Sequence, residues 1–158
     1  MFSACVTMNT VGSKQITFGS TVEVLENQAT ARVEYKGYSV LLQELEKKSK
    51  VQMWDETKIE KEKTLLPQGG YVIVRISGYT IDSANTKWWE YIIQNREGKE
   101  ILRQKGKSDV PKYNVSSSGT TWWNIDIIYL KEKPKNDFTI YLIDKLTNKR
   151  SAYKIYTN

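Results

Sequence analysis

The chain is punctuated by short segments in which apolar and polar residues alternate, and two of them, TKWWEYII from Thr86 and TTWWNIDIIYL from Thr120, carry paired tryptophans. A period of two is that of an extended strand, whose successive side chains point to opposite faces. In the first segment Trp89, Tyr91 and Ile93 share one face, and Trp88, Glu90 and Ile92 the other. In the second, Trp123, Ile125 and Ile127 form an apolar row, and Trp122, Asn124 and Asp126 a polar one. Each tryptophan pair is thereby split. One ring of each is expected in a core, and Trp88 and Trp122 are expected on wetter surfaces beside an acid or amide.

A ring flanked by carboxylate and amide groups can stack a sugar or a base while the polar atoms fix its orientation. The candidate ligand-binding residues are therefore Trp88, Glu90, Trp122, Asn124 and Asp126, with Tyr113 from the loop that precedes Trp122. The other reading of those rings is packing beneath a second sheet, a loop or a partner.

Turn signals divide the rest of the chain in the same way. Residues 15–26 read as two short strands, or one bulged at Gly19, and the alternation of Ala31, Val33 and Tyr35 as another strand, with a turn or bulge after it at Lys36-Gly37. LLQELEKKSK, residues 41–50, is built of strong helix formers, with Ser39 as the expected N-cap. Residues 51–63 alternate in charge and read as an exposed hairpin arm. YVIVRISGY, KEILRQ, DFTIYLID and RSAYKIY read as further strands. The DFTIYLID segment, apolar on both faces, is expected to be central, and RSAYKIY, with Lys154, an edge. Residues 106–121 read as the longest loop. The expected fold is all-β, an antiparallel β-sandwich of eight to ten short strands with at most one short helix near residues 39–49; a closed barrel is the alternative. Residues 1–14 are expected to be a flexible tether and residues 15–158 a single sandwich domain, a size that buries roughly 68–70% of its unfolded surface without a metal or disulfide staple.

Composition removes several chemistries. The chain has no histidine and a single cysteine, Cys5, which rules out His-dependent serine or cysteine catalysis and an internal disulfide framework. It contains no phosphate-cradling GxxxxGK[ST] loop, no GxGxxG turn and no EF-hand spacing. A carboxylate-based hydrolase needs no histidine, but no acids here form a distinctive pair, so no enzyme, metal or cofactor is expected. The net charge of +6 arises entirely from residues 99–158, with 12 basic and 6 acidic residues, since residues 1–98 carry 12 of each. These lysines are interspersed with acids, which suits a solvated surface better than a nucleic-acid footprint.

Two short motifs carry a resemblance. Phe2-Ser3-Ala4-Cys5 resembles the end of a bacterial lipoprotein signal, in which small residues precede a cysteine that becomes lipid-modified; Phe2 stands where leucine is usual. The resemblance implies lipidation at Cys5 and a start upstream of Met1. Leu66, Pro67, Gly69, Tyr71 and Ile73 resemble the turn that opens a central strand in small extracellular β-sandwich modules, many of them bacterial lipoproteins. That second likeness implies a fold and no ligand. Together they imply a non-enzymatic cell-envelope or surface protein that acts by binding or scaffolding, or a cytoplasmic one if no signal precedes Met1. The expected partner is a protein or glycan, with membrane contact only through a lipid on Cys5, no nucleic acid, and a monomeric chain. A carbohydrate-binding or carbohydrate-cleaving protein is the alternative, and nucleic-acid binding through the basic C-terminal part a second.

Overall fold

The computed structural model describes residues 10–157; Cys5 and its neighbours lie outside them. Among the described residues ten strands form two antiparallel sheets, so the fold is a β-sandwich and not a closed barrel. The larger sheet has the order β1 (Lys14–Thr17), β2 (Ser20–Asn27), β10 (Lys149–Tyr156), β9 (Phe138–Asp144), β5 (Trp89–Gln94), β6 (Glu100–Lys105). The smaller has β3 (Ala31–Lys36), β4 (Tyr71–Gly78), β8 (Gly119–Tyr129), β7 (Lys112–Ser116). Successive pairs of strands alternate between the sheets, so the chain crosses the sandwich after β2, β4, β6 and β8.

The core lies between the sheets. Val22 and Val24, Tyr153 and Ile155, Phe138, Ile140 and Leu142, and Trp89, Tyr91 and Ile93 come from the larger sheet. Val33, Tyr35, Val72, Val74, Ile76 and Ile128 come from the smaller. Each alternates along its strand with a wetter residue, which is the pattern that put these segments in strands. Burying such a side chain contributes roughly 1.5–3 kcal/mol.

Backbone fit at one end of the smaller sheet depends on glycine. Gly70 has φ +74°, and a Cβ there would collide with the carbonyl of Lys36. With that space free, Leu130 donates its N–H to the Gly70 carbonyl at 3.0 Å, and the Tyr35 hydroxyl donates to the Gly69 carbonyl at 2.8 Å. The glycines of the Leu66–Tyr71 motif thus let β3, β4 and the end of β8 close on one another.

Several expectations need correction. The helix expected near residues 39–49 runs further, as α1 (Tyr38–Val51), and its N-cap is Gly37, not Ser39. The expected hairpin arm is instead a second helix, α2 (Glu56–Leu65), because Glu and Lys are good helix formers and Asp55 caps it, accepting from Lys58 N–H at 2.8 Å. A single turn of helix, α3 (Ile81–Ala84), occupies the turn before the first tryptophan pair. The loop of residues 106–121 contains β7. Furthermore, β10 is not an edge: it pairs with β2 on one side and β9 on the other. Lys154 keeps one face wet while both backbone edges are occupied. Strand pairing also begins within the stretch read as a tether, since Gly12 N–H donates to the Val24 carbonyl at 2.7 Å and Lys14 opens β1.

Candidate recognition surface

The hairpin of β7 and β8 reaches past the core. Every residue of β7 is exposed, as are the first three of β8, and Gly119 at φ +123° turns one strand into the other. Register sets Tyr113 opposite Trp122 and Lys112 opposite Trp123. The two tryptophans therefore point to opposite sides, as the alternation requires. On one side the Tyr113 and Trp122 rings lie 5.1 Å apart, tilted by 51°. Tyr113 is 60% exposed and Trp122 half-buried. On the other side the Trp123 ring lies between two cations, the Arg75 guanidinium at 5.0 Å and the Lys112 ammonium at 5.2 Å. Its indole N–H is buried and has no hydrogen-bond partner among the described residues.

Trp88 is not in a strand. It ends a 3₁₀ turn, Thr86–Trp88, that packs against β8, and its ring is 36% exposed with the Lys87 ammonium 4.8 Å above it. Trp88 and Trp122 thus lie at the same end of the sandwich, where β4 finishes and β5 begins.

The three polar candidates are not there to serve these rings. Glu90 faces the outside of the larger sheet, between Lys145 at 2.8 Å and Arg103 at 3.1 Å. Those two cations, Lys145 first, hold its carboxyl below the usual carboxylate range. Asn124 and Asp126 point inward, so the row read as wet is the core face of β8, and Ile125, Ile127 and Trp123 form its outer face, each partly exposed. Inward polar groups must be hydrogen-bonded, and both are. Asn124 donates from Nδ2 to the Asp109 carbonyl at 3.0 Å. Asp126 Oδ2 accepts from the Tyr91 hydroxyl at 2.7 Å and from the Lys107 N–H at 3.3 Å.

These bonds fasten the crossover between β6 and β7 over the edge of the sandwich. Gly106 makes the close approach feasible, because a Cβ there would collide with the Thr86 carbonyl and crowd Asp126. Thr86, fully buried, donates its hydroxyl to the Lys107 carbonyl beside it. Burial pushes the Asp126 carboxyl up and the Tyr91 phenol up further, while the hydrogen bond from Tyr91 draws Asp126 part of the way back.

Of the six candidate residues, the structure therefore gathers Trp88, Trp122 and Tyr113 at one end, and assigns Glu90, Asn124 and Asp126 to holding strands and a crossover. Trp123, Arg75 and Lys112 join the surface from the other side of the hairpin. The sequence held a partial signal for them, since Arg75 breaks an apolar strand, but the cross-strand register that brings the cations to Trp123 had no local signature. The chain matches no protein-family model, and no curated protein or solved structure was found to be similar to it.

Proposed function

We propose that this chain is a non-enzymatic, lipoprotein-like β-sandwich module of a cell envelope or surface, binding a glycan through the aromatic end of the β7–β8 hairpin. One observation carries the reading: the Tyr113–Trp122 ring pair stands beyond the core with Tyr113 largely exposed, while the nearby carboxylates and amide are committed to structural bonds. Aromatic faces presented in this way offer a sugar ring apolar contact area at low conformational cost. Placement at an envelope rests on the likeness of Phe2-Ser3-Ala4-Cys5 to a lipoprotein signal.

Affinity electrophoresis through a panel of neutral and acidic cell-surface polysaccharides tests the binding. Retardation by at least one polysaccharide is expected, with Tyr113→Ala weakening it about tenfold, equivalent to 1.4 kcal/mol. The same substitution should change folding stability by less than about 1 kcal/mol, as an exposed ring would. Binding to a neutral polysaccharide should survive added salt; affinity confined to polyanions, nucleic acid included, and falling steeply with salt would refute the stacking reading. If Trp122→Ala costs several kcal/mol of folding stability, the ring is core and the surface is lost. Mass spectrometry of the protein from its native host checks the anchor: an unmodified Cys5 thiol refutes it.

A further inference from the structure

The aromatic hairpin leaves a sheet edge open. Among the described residues β7 ends the smaller sheet, with β8 on one side and no strand on the other. The remaining edge strands are short or guarded by charge, the usual defences against pairing with another chain. β3 carries Arg32, Glu34 and Lys36, β6 carries Glu100, Arg103 and Lys105, and β1 is only four residues long. β7 has a single charge, Lys112 at its start, and runs in unbroken register with β8. Its two large apolar side chains are open to solvent, Tyr113 at 60% and Val115 at 73%.

That register fixes which backbone groups face outward. Ser116 and Gly119 pair across the two turn residues Ser117 and Ser118. A pair that closes a two-residue turn exchanges both backbone hydrogen bonds, and such pairs alternate with unbonded ones along an antiparallel ladder. Lys112, Asn114 and Ser116 therefore turn their N–H and C=O groups to β8, and Tyr113 and Val115 turn theirs to the open edge.

We infer that β7 pairs antiparallel with β7 of a second copy of this chain about a twofold axis at Asn114, joining two four-stranded sheets into one. In that register Tyr113 stands opposite Val115 of the second copy, and the outward N–H and C=O groups of the one bond those of the other. The side chains agree with the backbone. Tyr113 and Val115 share a face, so each exposed ring meets an exposed valine, a favourable aromatic–β-branched pair. Lys112 meets Ser116 rather than another cation. A register slipped by two residues would set Val115 against Pro111, which has no N–H, or Tyr113 against the turn residue Ser117. So short a seam covers less area than a permanent interface, which makes the association weak, with a Kd on the order of 100 μM. The twofold puts both Tyr113–Trp122 pairs on one face, yet the pairing does not depend on what those rings bind.

Sedimentation velocity of the protein alone, from about 10 μM to about 1 mM, tests the pairing, with amide hydrogen exchange at both extremes. The average mass should rise toward that of a dimer, and exchange at Tyr113 and Val115 should slow about fivefold at the high concentration, more than at Asn114, whose N–H is already bonded to β8. Val115→Pro removes an outward donor and spares the bonds to β8, and Asn114→Lys, at an exposed position, sets like charges opposite one another at the axis. Each variant should keep its unfolding temperature and lose at least about tenfold in association. A chain that stays monomeric throughout, a dimer that both variants leave intact, or protection greatest at Lys112 and Asn114 would overturn the pairing. Retention on polysaccharide is read separately: a monomer that is retained overturns the pairing alone, and a dimer that no polysaccharide retains overturns the glycan reading alone.

Discussion

Removing the hydroxyl of Tyr91 tests how the sandwich is closed. Tyr91 is fully buried, and Tyr91→Phe keeps the ring's volume while deleting the 2.7 Å bond to Asp126. Asp126 would then retain only the longer bond from Lys107 N–H at 3.3 Å. A hydrogen bond to a charged group contributes about 1.5–3 kcal/mol, and leaving the carboxylate short of a donor places the loss in the upper part of that range at neutral pH. For a domain of this size that is a fall in Tm of roughly 4–10 °C.

The pH dependence follows from the direction of the shift. Asp126 has a raised pKa in the folded state, so between the ordinary carboxylate value and the raised one the native protein binds more protons than the unfolded chain, and stability falls as pH rises through that window. The Tyr91 bond partly lowers that pKa, so its removal raises it further and widens the window. The penalty of Tyr91→Phe should therefore be largest at neutral pH. In acid, where Asp126 is protonated and only a neutral bond is missing, it should shrink to about 1 kcal/mol. Urea unfolding of both proteins across pH, with unchanged m-values, measures this. A penalty below about 0.5 kcal/mol at neutral pH, or one independent of pH, would refute the role given to the pair.

Two further substitutions probe other parts of the frame. Glu90→Gln should cost about 0.5–1 kcal/mol at neutral pH, since its cationic partners are half exposed; because the carboxyl's pKa is lowered on folding, that cost should disappear as pH falls through the folded value, which denaturation at acid and neutral pH checks. Gly70→Ala should destabilise by more than about 1 kcal/mol through its positive φ and the collision with the Lys36 carbonyl, measurable as a drop in urea midpoint.

Period-two alternation located most of the strands, because it reports directly on a backbone that turns its side chains to opposite faces. It did not report which face was inside. In β8 the row of Trp123, Ile125 and Ile127 looked like core and is the outer face; Asn124 and Asp126 look solvated and are buried. The decision was made by partners far away in sequence, Tyr91 and the backbone of residues 107 and 109, which no local pattern announces. Nor does alternation report on edges: Lys154 marks the wet face of β10, which is a property separate from whether its backbone is paired. The second helix was hidden because alternating charge reads equally as a solvated strand or as pairs three residues apart, such as Glu60 and Lys63. Of the candidate site, the aromatic residues were legible, since their exposure follows from a hairpin longer than the core.

The placement of β10 between β2 and β9 has a consequence for how the molecule is made. Its tyrosine hydroxyl at residue 153 reaches the Ala31 carbonyl at 2.8 Å, and its backbone joins two parts of the larger sheet that otherwise share no hydrogen-bonded strand pair. During synthesis on a ribosome, β1 and β2 must wait, with an open edge, until the other strands have emerged. Completion of the larger sheet thereby waits for β10, and such distant pairing is slow to form. A nascent chain halted before residue 149 should remain a substrate for chaperones and proteases.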